Sequence, residues 1–315
     1  MATANTILLE AAAEDISSID LFSKTHEYKG VTMFEMSMPE IYESLNTWET
    51  RPDDVYLITF PKSGTHWIME IAYLIMNDLQ ADKINREAML FALDQAMSNK
   101  VDDVTKVTPG HEVMAKWRSP RIMASHLLEE FAPDQIKKRS KVIYFSRNPK
   151  DAAVSYFKFL GPTFPDEMEG WKGFLRLFLS EKMIGGSWFR HVKGWWALRD
   201  QPNVLCCKYE DFHKDLRGSI KRVADFLDRP LSDEKLNKIV ELTEMKGMQK
   251  TYQQLEEKMG ATGRSMTRLF GQLPFLRKGK VGGWKDEFTV AENEYFDKVY
   301  QQNMEGSGLE FKFEL

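Results

Sequence analysis

The chain alternates apolar runs with turns and helical spacings, and the sharpest case is residues 55–78, VYLITFPKSGTHWIMEIAYLIMND. The run VYLITF is β-branched and aromatic and predicts a buried strand. After Pro61 and Gly64 the apolar residues Trp67, Ile68, Ile71, Ala72, Leu74 and Ile75 return at helical spacing over more than one face, which predicts a helix packed against a sheet. PKSGT is then a tight turn between strand and helix. Such a turn aims the helix's first backbone N–H groups and the positive end of its dipole at whatever lies above the strand, a place that suits an anion.

The alternation recurs as RIMASH then LLEEFAP, KVIYFSR then DAAVSYFKFL, and NVLCCKYEDF then LRGSIKRVADFL. Together these predict an α/β fold, a parallel sheet with helices on both faces. Residues 1 to about 30 read as a peripheral N-terminal segment and 31–315 as the domain, with no internal repeat or low-complexity tract. Residues 245–283 mix glycine, basic and apolar residues without a sustained period and read as a lid over a site.

Composition narrows the partners. A chain of 315 residues, 43% apolar and 29% charged, has the makings of a soluble globular protein with a large core. A net charge of −4 speaks against a general nucleic-acid binder, and no apolar stretch is long enough for a membrane span. Acidic residues stand near the N-terminus where a signal peptide carries basic ones. Adjacent Cys206 and Cys207 and the lack of any N-x-S/T sequence suggest no oxidising compartment, so a cytoplasmic protein is expected, with the thiols buried and inert.

The candidate chemistry is anionic. In PKSGT the lysine precedes the glycine, unlike the G-K-[ST] order of a nucleoside-triphosphate loop, but a close backbone approach at Gly64 and a point charge at Lys62 serve the same purpose. KVIYFSRNPKDAAVSYF sets Arg147 at a strand end and Ser155 in the following helix, a second anion site with a forked donor. FLRKGKVGGWKDEF adds Arg277, Lys278 and Gly279. Three such sites suggest a ligand with more than one phosphate-like group.

TFPKSGTHW, KVIYFSRNPKDAAVSYF and RKGKVGGWK resemble the donor-binding segments of the cytosolic sulfotransferases, and KDEFTVAENE at 285–294 resembles that family's K-x-x-x-T-V-x-x-x-E dimer segment. The likeness runs in order from about residue 30 to the C-terminus through SPRIMASH, Trp195, Trp196 and YEDF. It implies a single three-layer α/β domain with a P-loop-like strand, loop and helix, a homodimer through 285–294, and 3′-phosphoadenosine 5′-phosphosulfate (PAPS) as co-substrate without a metal. By the same resemblance, Lys62, Ser63, Gly64, Thr65 and His66 would hold the 5′-phosphosulfate and Trp67 would stack on adenine. Arg147, Ser155, Arg277, Lys278 and Gly279 would hold the 3′-phosphate, with Tyr209 and Thr243 on the adenine side. Lys62 would serve the leaving oxygen and His126 would be the general base.

Departures from the family pattern are Ala124 where a lysine is usual, His66 in place of a second threonine, and Gly283 in place of an aspartate. With Ala124, Lys62 becomes the principal side-chain cation, assisted by the helix N-terminus and by a protonated His66. His26, His111, His191 and His213 read as surface or packing residues. The acceptor is expected to be a small, largely apolar hydroxyl or amine compound, its pocket formed by loops such as 85–100 and 245–275. Two other readings stand beside this one: a nucleotide kinase with a variant phosphate loop, and a non-catalytic binder of the same nucleotide.

Overall fold

The structure is a computed structural model that describes residues 25–33, 36–80, 92–98, 107–160, 170–259, 268–269, 273–274, 276 and 279–315. In chain order its strands are β1 (His26–Tyr28), β2 (Val31–Met33), β3 (Val55–Thr59), β4 (Ala96–Ser98), β5 (Val107–Pro109), β6 (Ile122–Ser125), β7 (Lys141–Ser146), β8 (Val204–Lys208), β9 (Arg268–Leu269) and β10 (Leu273–Pro274). The sheet that matters for the site has the order β6-β3-β7-β8. All of its pairings are parallel, with Val55 opposite both Ile122 and Lys141, and Val142 opposite Val204.

All five residues of β3 are buried, as a central strand covered on both faces requires. Its side chains alternate between two cores. Tyr56, Ile58 and Phe60 join Met123, Val142 and Tyr144 against helices Pro149–Leu160, Trp171–Phe178 and Trp188–Trp196. Val55 and Leu57 join Ile122, Ala124, Ile143 and Phe145 against helices Thr65–Met76, Leu216–Phe226 and Asp233–Thr243. Helix, sheet and helix are the three layers the sequence pattern calls for.

Because the four strands run the same way, their carboxyl ends lie along one edge of the sheet. The residues that follow those ends are Phe60–Pro61–Lys62, His126, Arg147 and Tyr209. Open parallel sheets bind ligands at this edge.

Three local expectations change. LLEEFAP is not an α-helix: only Glu129–Phe131 makes a 3-10 turn, and the helix starts at Asp134, after Pro133. Residues 245–283 are not irregular throughout, since Met245–Met259 is a 15-residue helix; much of the rest lies outside the described residues. The boundary near residue 30 falls inside the β1–β2 hairpin, whose Tyr28 and Val31 belong to the core.

Candidate active site

The turn after β3 has two residues with positive φ, Lys62 at 66° and Gly64 at 104°. Gly64 is required by space as well as by φ: a Cβ there would lie 2.9 Å from both the Phe145 and Tyr209 rings. The loop backbone therefore sits directly on the aromatic floor of the sheet. Trp67 and Ile68 donate their amides to the Gly64 carbonyl at 3.0 and 3.1 Å, which closes the first turn of helix Thr65–Met76. The Ser63 side chain is fully buried, and its hydroxyl has no hydrogen-bond partner among the described residues. A buried hydroxyl left unmatched in a turn of this kind fits a loop shaped for a further acceptor. The Lys62 ammonium lies 4.0 Å from the centre of the Phe159 ring.

His126 follows β6 directly, and its backbone is fixed by Asp94. One carboxylate oxygen of Asp94 accepts from the Ser125 hydroxyl at 2.7 Å and from the His126 amide at 3.2 Å. The imidazole Nδ1 is 2.7 Å from the Thr59 carbonyl oxygen. A carbonyl can only accept, so Nδ1 carries the proton and Nε2 of the neutral ring keeps its lone pair. Thr59 also joins His126 to the loop, since its hydroxyl lies 3.2 Å from His126 Nδ1 and 2.7 Å from the Thr65 hydroxyl.

His66 differs from the expectation of a protonated helper. Burial, with Lys62 and His126 close by, pushes its pKa down to about 3, so the ring is neutral near pH 7. Its Nδ1 is 3.0 Å from the Tyr252 hydroxyl, on helix Met245–Met259. Ala124 is buried in the apolar core with Leu57 and Ile122.

The other strand ends supply the rest. Arg147, one residue past β7, donates to the carbonyl of Lys62 and to that of Lys280, both at 3.2 Å, and its guanidinium lies 4.4 Å from the Tyr209 ring centre. Its buried Nε has no partner among the described residues. Ser155 sits half-buried in helix Pro149–Leu160. Trp67 donates its indole N–H to the Thr243 carbonyl at 2.8 Å and meets the Tyr209 ring at 5.0 Å, so Trp67, Tyr209 and Thr243 share one corner. Thr243's own hydroxyl is used inside its helix, on the Ile239 carbonyl. Gly279 has φ 52° and packs tightly on Met245, while Arg277 and Lys278 lie outside the described residues.

Several site residues were not singled out from the sequence. Asp151, buried, accepts from the amides of Gly282 and Trp284 and from the Asn148 side chain, all at 2.9 Å, and so pins the glycine segment beside Arg147. Glu210 accepts from the Asn148 backbone at 2.8 Å, and burial raises its pKa. His213, exposed, packs its ring 4.9 Å from Trp67 and 4.7 Å from Tyr209. His191 and His111 are packing residues as expected, the first buried against Tyr144 and the second against Ser44. Burial pushes the pKa values of both thiols up to about 12. Among the described residues no group of side chains could hold a metal, and no helix is long and apolar enough to cross a membrane.

Known proteins resemble this chain in sequence and fold. The chain matches the sulfotransferase domain over residues 52–308. It is 34% identical over 312 residues to mouse sulfotransferase 1B1, covering 96% of this chain and 97% of that protein. It is 36% identical over 289 residues to bovine sulfotransferase 1E1, covering 90% and 94%. Among solved structures, mouse sulfotransferase SULT7A1 complexed with PAP superposes with a TM-score of 0.72 at 30% identity, covering 90% of this chain and 96% of that one. A retinol dehydratase in complex with retinol and PAP gives 0.75 at 25% identity, covering 98% and 97%. With a sulfotransferase domain matched over residues 52–308 and relatives alike over most of its length, this chain belongs to the sulfotransferase family.

Proposed function

We propose that this sulfotransferase uses His126 as general base and Lys62 as the cation at the leaving oxygen, to move the sulfonate of PAPS onto a hydroxyl or amine of a small, largely apolar acceptor. The observation that carries this reading is the Thr59 junction: one residue orients the base through its carbonyl and touches the phosphate loop through its hydroxyl. Base and donor loop are thus held in one frame, as an in-line transfer needs.

The residues fit the donor. The buried, unmatched Ser63 hydroxyl and Arg147 Nε lie at the two places where the loop and the following strand end would meet phosphate groups. Lys62, Ser63, Gly64, Thr65 and His66 would surround the 5′ end, with Trp67, Tyr209 and Thr243 at the base. Arg147, Ser155, Gly279 and, outside the described residues, Arg277 and Lys278 would serve the 3′-phosphate. PAPS supplies a sulfonate on a good leaving phosphate, and transfer passes through a charge-separated state that rewards alignment and stabilisation of the leaving oxygen. His126 Nε2 takes the acceptor's proton as the new bond to sulfur forms. Lys62 meets the negative charge that gathers on the departing oxygen.

The dimer belongs to the same proposal. Val290, 76% exposed, opens helix Val290–Met304, and Thr289 and Glu292 form a capping box that fixes its start. A two-fold contact centred there would cover this side chain. Lys285 pairs with Glu314 of its own chain at 2.7 Å, so a cross-chain pair with Glu294 would have to displace that contact. The cytoplasm is the expected location. Transfer of labelled sulfonate from PAPS to phenols, sterols, bile-type alcohols and amines, with and without magnesium, tests the reading. No transfer to any acceptor by a protein that binds PAP would favour the non-catalytic alternative.

A further inference from the structure

Tyr252 stands out on helix Met245–Met259, where it is buried beside the phosphate loop 186 residues away in sequence, with its hydroxyl on His66. A buried tyrosine hydroxyl needs some partner, and a satisfied packing residue is the plain account. The identity of the partner goes further. His66 is the second residue of the helix that opens the anion-binding turn, and the charged or titratable groups acting on its ring include Lys62, His126 and Tyr252.

We propose, on the basis of the donor reading above, that Tyr252 is a positioning residue for the donor: its hydroxyl donates to His66 Nδ1, keeps the imidazole proton on Nε2, and so presents an N–H from residue 66 to the phosphosulfate. The 3.0 Å contact between His66 Nδ1 and the Tyr252 hydroxyl fixes where one of the ring's protons can lie. An imidazolium would donate from both nitrogens and would need no such help, but burial and the neighbouring Lys62 keep this ring neutral. A neutral ring has one proton and two tautomers. If Nδ1–H donated to the tyrosine oxygen, Nε2 would turn a lone pair toward an anion. If the tyrosine donates, Nε2 becomes the donor that an anion requires. Residue 66 then contributes a hydrogen bond without adding a charge beside His126, whose base function a second cation would weaken. The same bond sets one buried face of the helix on the donor loop, because Tyr252 and Met248 are its buried side chains among the described residues.

The test uses 3′-phosphoadenosine 5′-phosphate (PAP) as probe. In imidazole-labelled wild type with PAP bound, nitrogen NMR should show His66 Nε2 protonated and Nδ1 unprotonated, with the signal assigned through His66→Asn. Tyr252→Phe keeps the ring and removes the hydroxyl; it should shift the tautomer toward Nδ1–H and weaken PAP about tenfold by calorimetry, equivalent to about 1.4 kcal/mol. In a His66→Asn background the same change should cost less than twofold. A proton on Nδ1 in the PAP-bound wild type, or fully additive losses in the double variant, overturns the proposal. The wild-type spectrum decides the matter even if Tyr252→Phe fails to fold. A folded wild type that binds no PAP would instead overturn the donor reading itself.

Discussion

Asp151→Asn is the most informative single change, because it keeps the side chain's shape and, with the loss of one negative charge, alters the hydrogen-bonding pattern under the glycine segment. The carboxylate accepts the amides of Gly282 and Trp284 on separate oxygens, and the Asn148 side chain besides. Asparagine offers one oxygen and one NH2, so one of the two amides must lose its acceptor and face a donor. A bond to a charged group contributes about 1.5–3 kcal/mol net, and a stranded buried donor costs about 1–3 kcal/mol. Lifting the segment relieves part of that cost, leaving about 3 kcal/mol against docking of residues 279–284. The same segment meets Arg147 through the Lys280 carbonyl and carries Gly279, so lost docking should appear as weaker binding of PAP. At 1.4 kcal/mol per factor of ten, Kd should rise by about two orders of magnitude. Titration calorimetry at pH 7 measures it, with Lys280→Ala as the control, since only that residue's backbone engages Arg147 and its exposed side chain should matter by less than about 0.5 kcal/mol. A Kd for Asp151→Asn within threefold of wild type would refute the argument.

Lys62→Ala should lower turnover by on the order of a hundredfold while PAP affinity changes far less, because the charge is needed most as the leaving oxygen develops its own; near-normal turnover removes Lys62 from the mechanism. Arg147→Ala should weaken the 3′-phosphorylated donor more than one lacking that group, yet weaken both, since Arg147 also ties the Lys62 and Lys280 carbonyls together. Equal losses would leave it an organiser of the loop alone. Acid should destabilise the fold: His66 and His191 have folded pKa values near 3 against 6.5 unfolded, so the unfolded chain binds more protons between those values and stability falls as pH drops through that window. Each histidine contributes up to about 1.4 kcal/mol per pH unit, and a urea midpoint that stays constant from pH 7 to pH 5 would contradict the assignment. Val290→Glu should turn a dimer into monomers in light scattering at micromolar concentration, and a monomeric wild type would end the proposal of a two-fold contact.

The parts of the fold and site that could be read in the sequence are those built from neighbours in the chain. VYLITF, Pro61 and the helical spacing from Trp67 specify strand, turn and helix locally; Arg147 becomes a candidate because it stands immediately after an apolar run, whereas His126 does so only through the family resemblance. Helix Met245–Met259 escaped notice because its surface is mostly polar, with Met248 and Tyr252 as its buried side chains among the described residues, too narrow a stripe for periodicity to show. LLEEFAP misled in the other direction, since its composition favours a helix that Pro133 prevents from continuing. Asp151 and His213 could not be recognised from spacing, because what gives each its place is a distant segment: residues 282 and 284 for the first, Trp67 for the second. The protonation state of His66 is not legible in the sequence, because it depends on burial and on Lys62 and His126, which the fold gathers around the ring.

The Thr59 carbonyl has a consequence for how the protein tolerates change. Many catalytic histidines are oriented by a carboxylate, and one substitution of that side chain is enough to release the ring. Here the acceptor is a peptide oxygen within the sheet, present whatever amino acid occupies position 59. Sequence drift at that site can remove the hydroxyl that reaches Thr65 without removing the bond that sets the His126 tautomer. The orientation of the His126 ring is therefore inherited with the backbone, while the loop contact beside it is left open to variation.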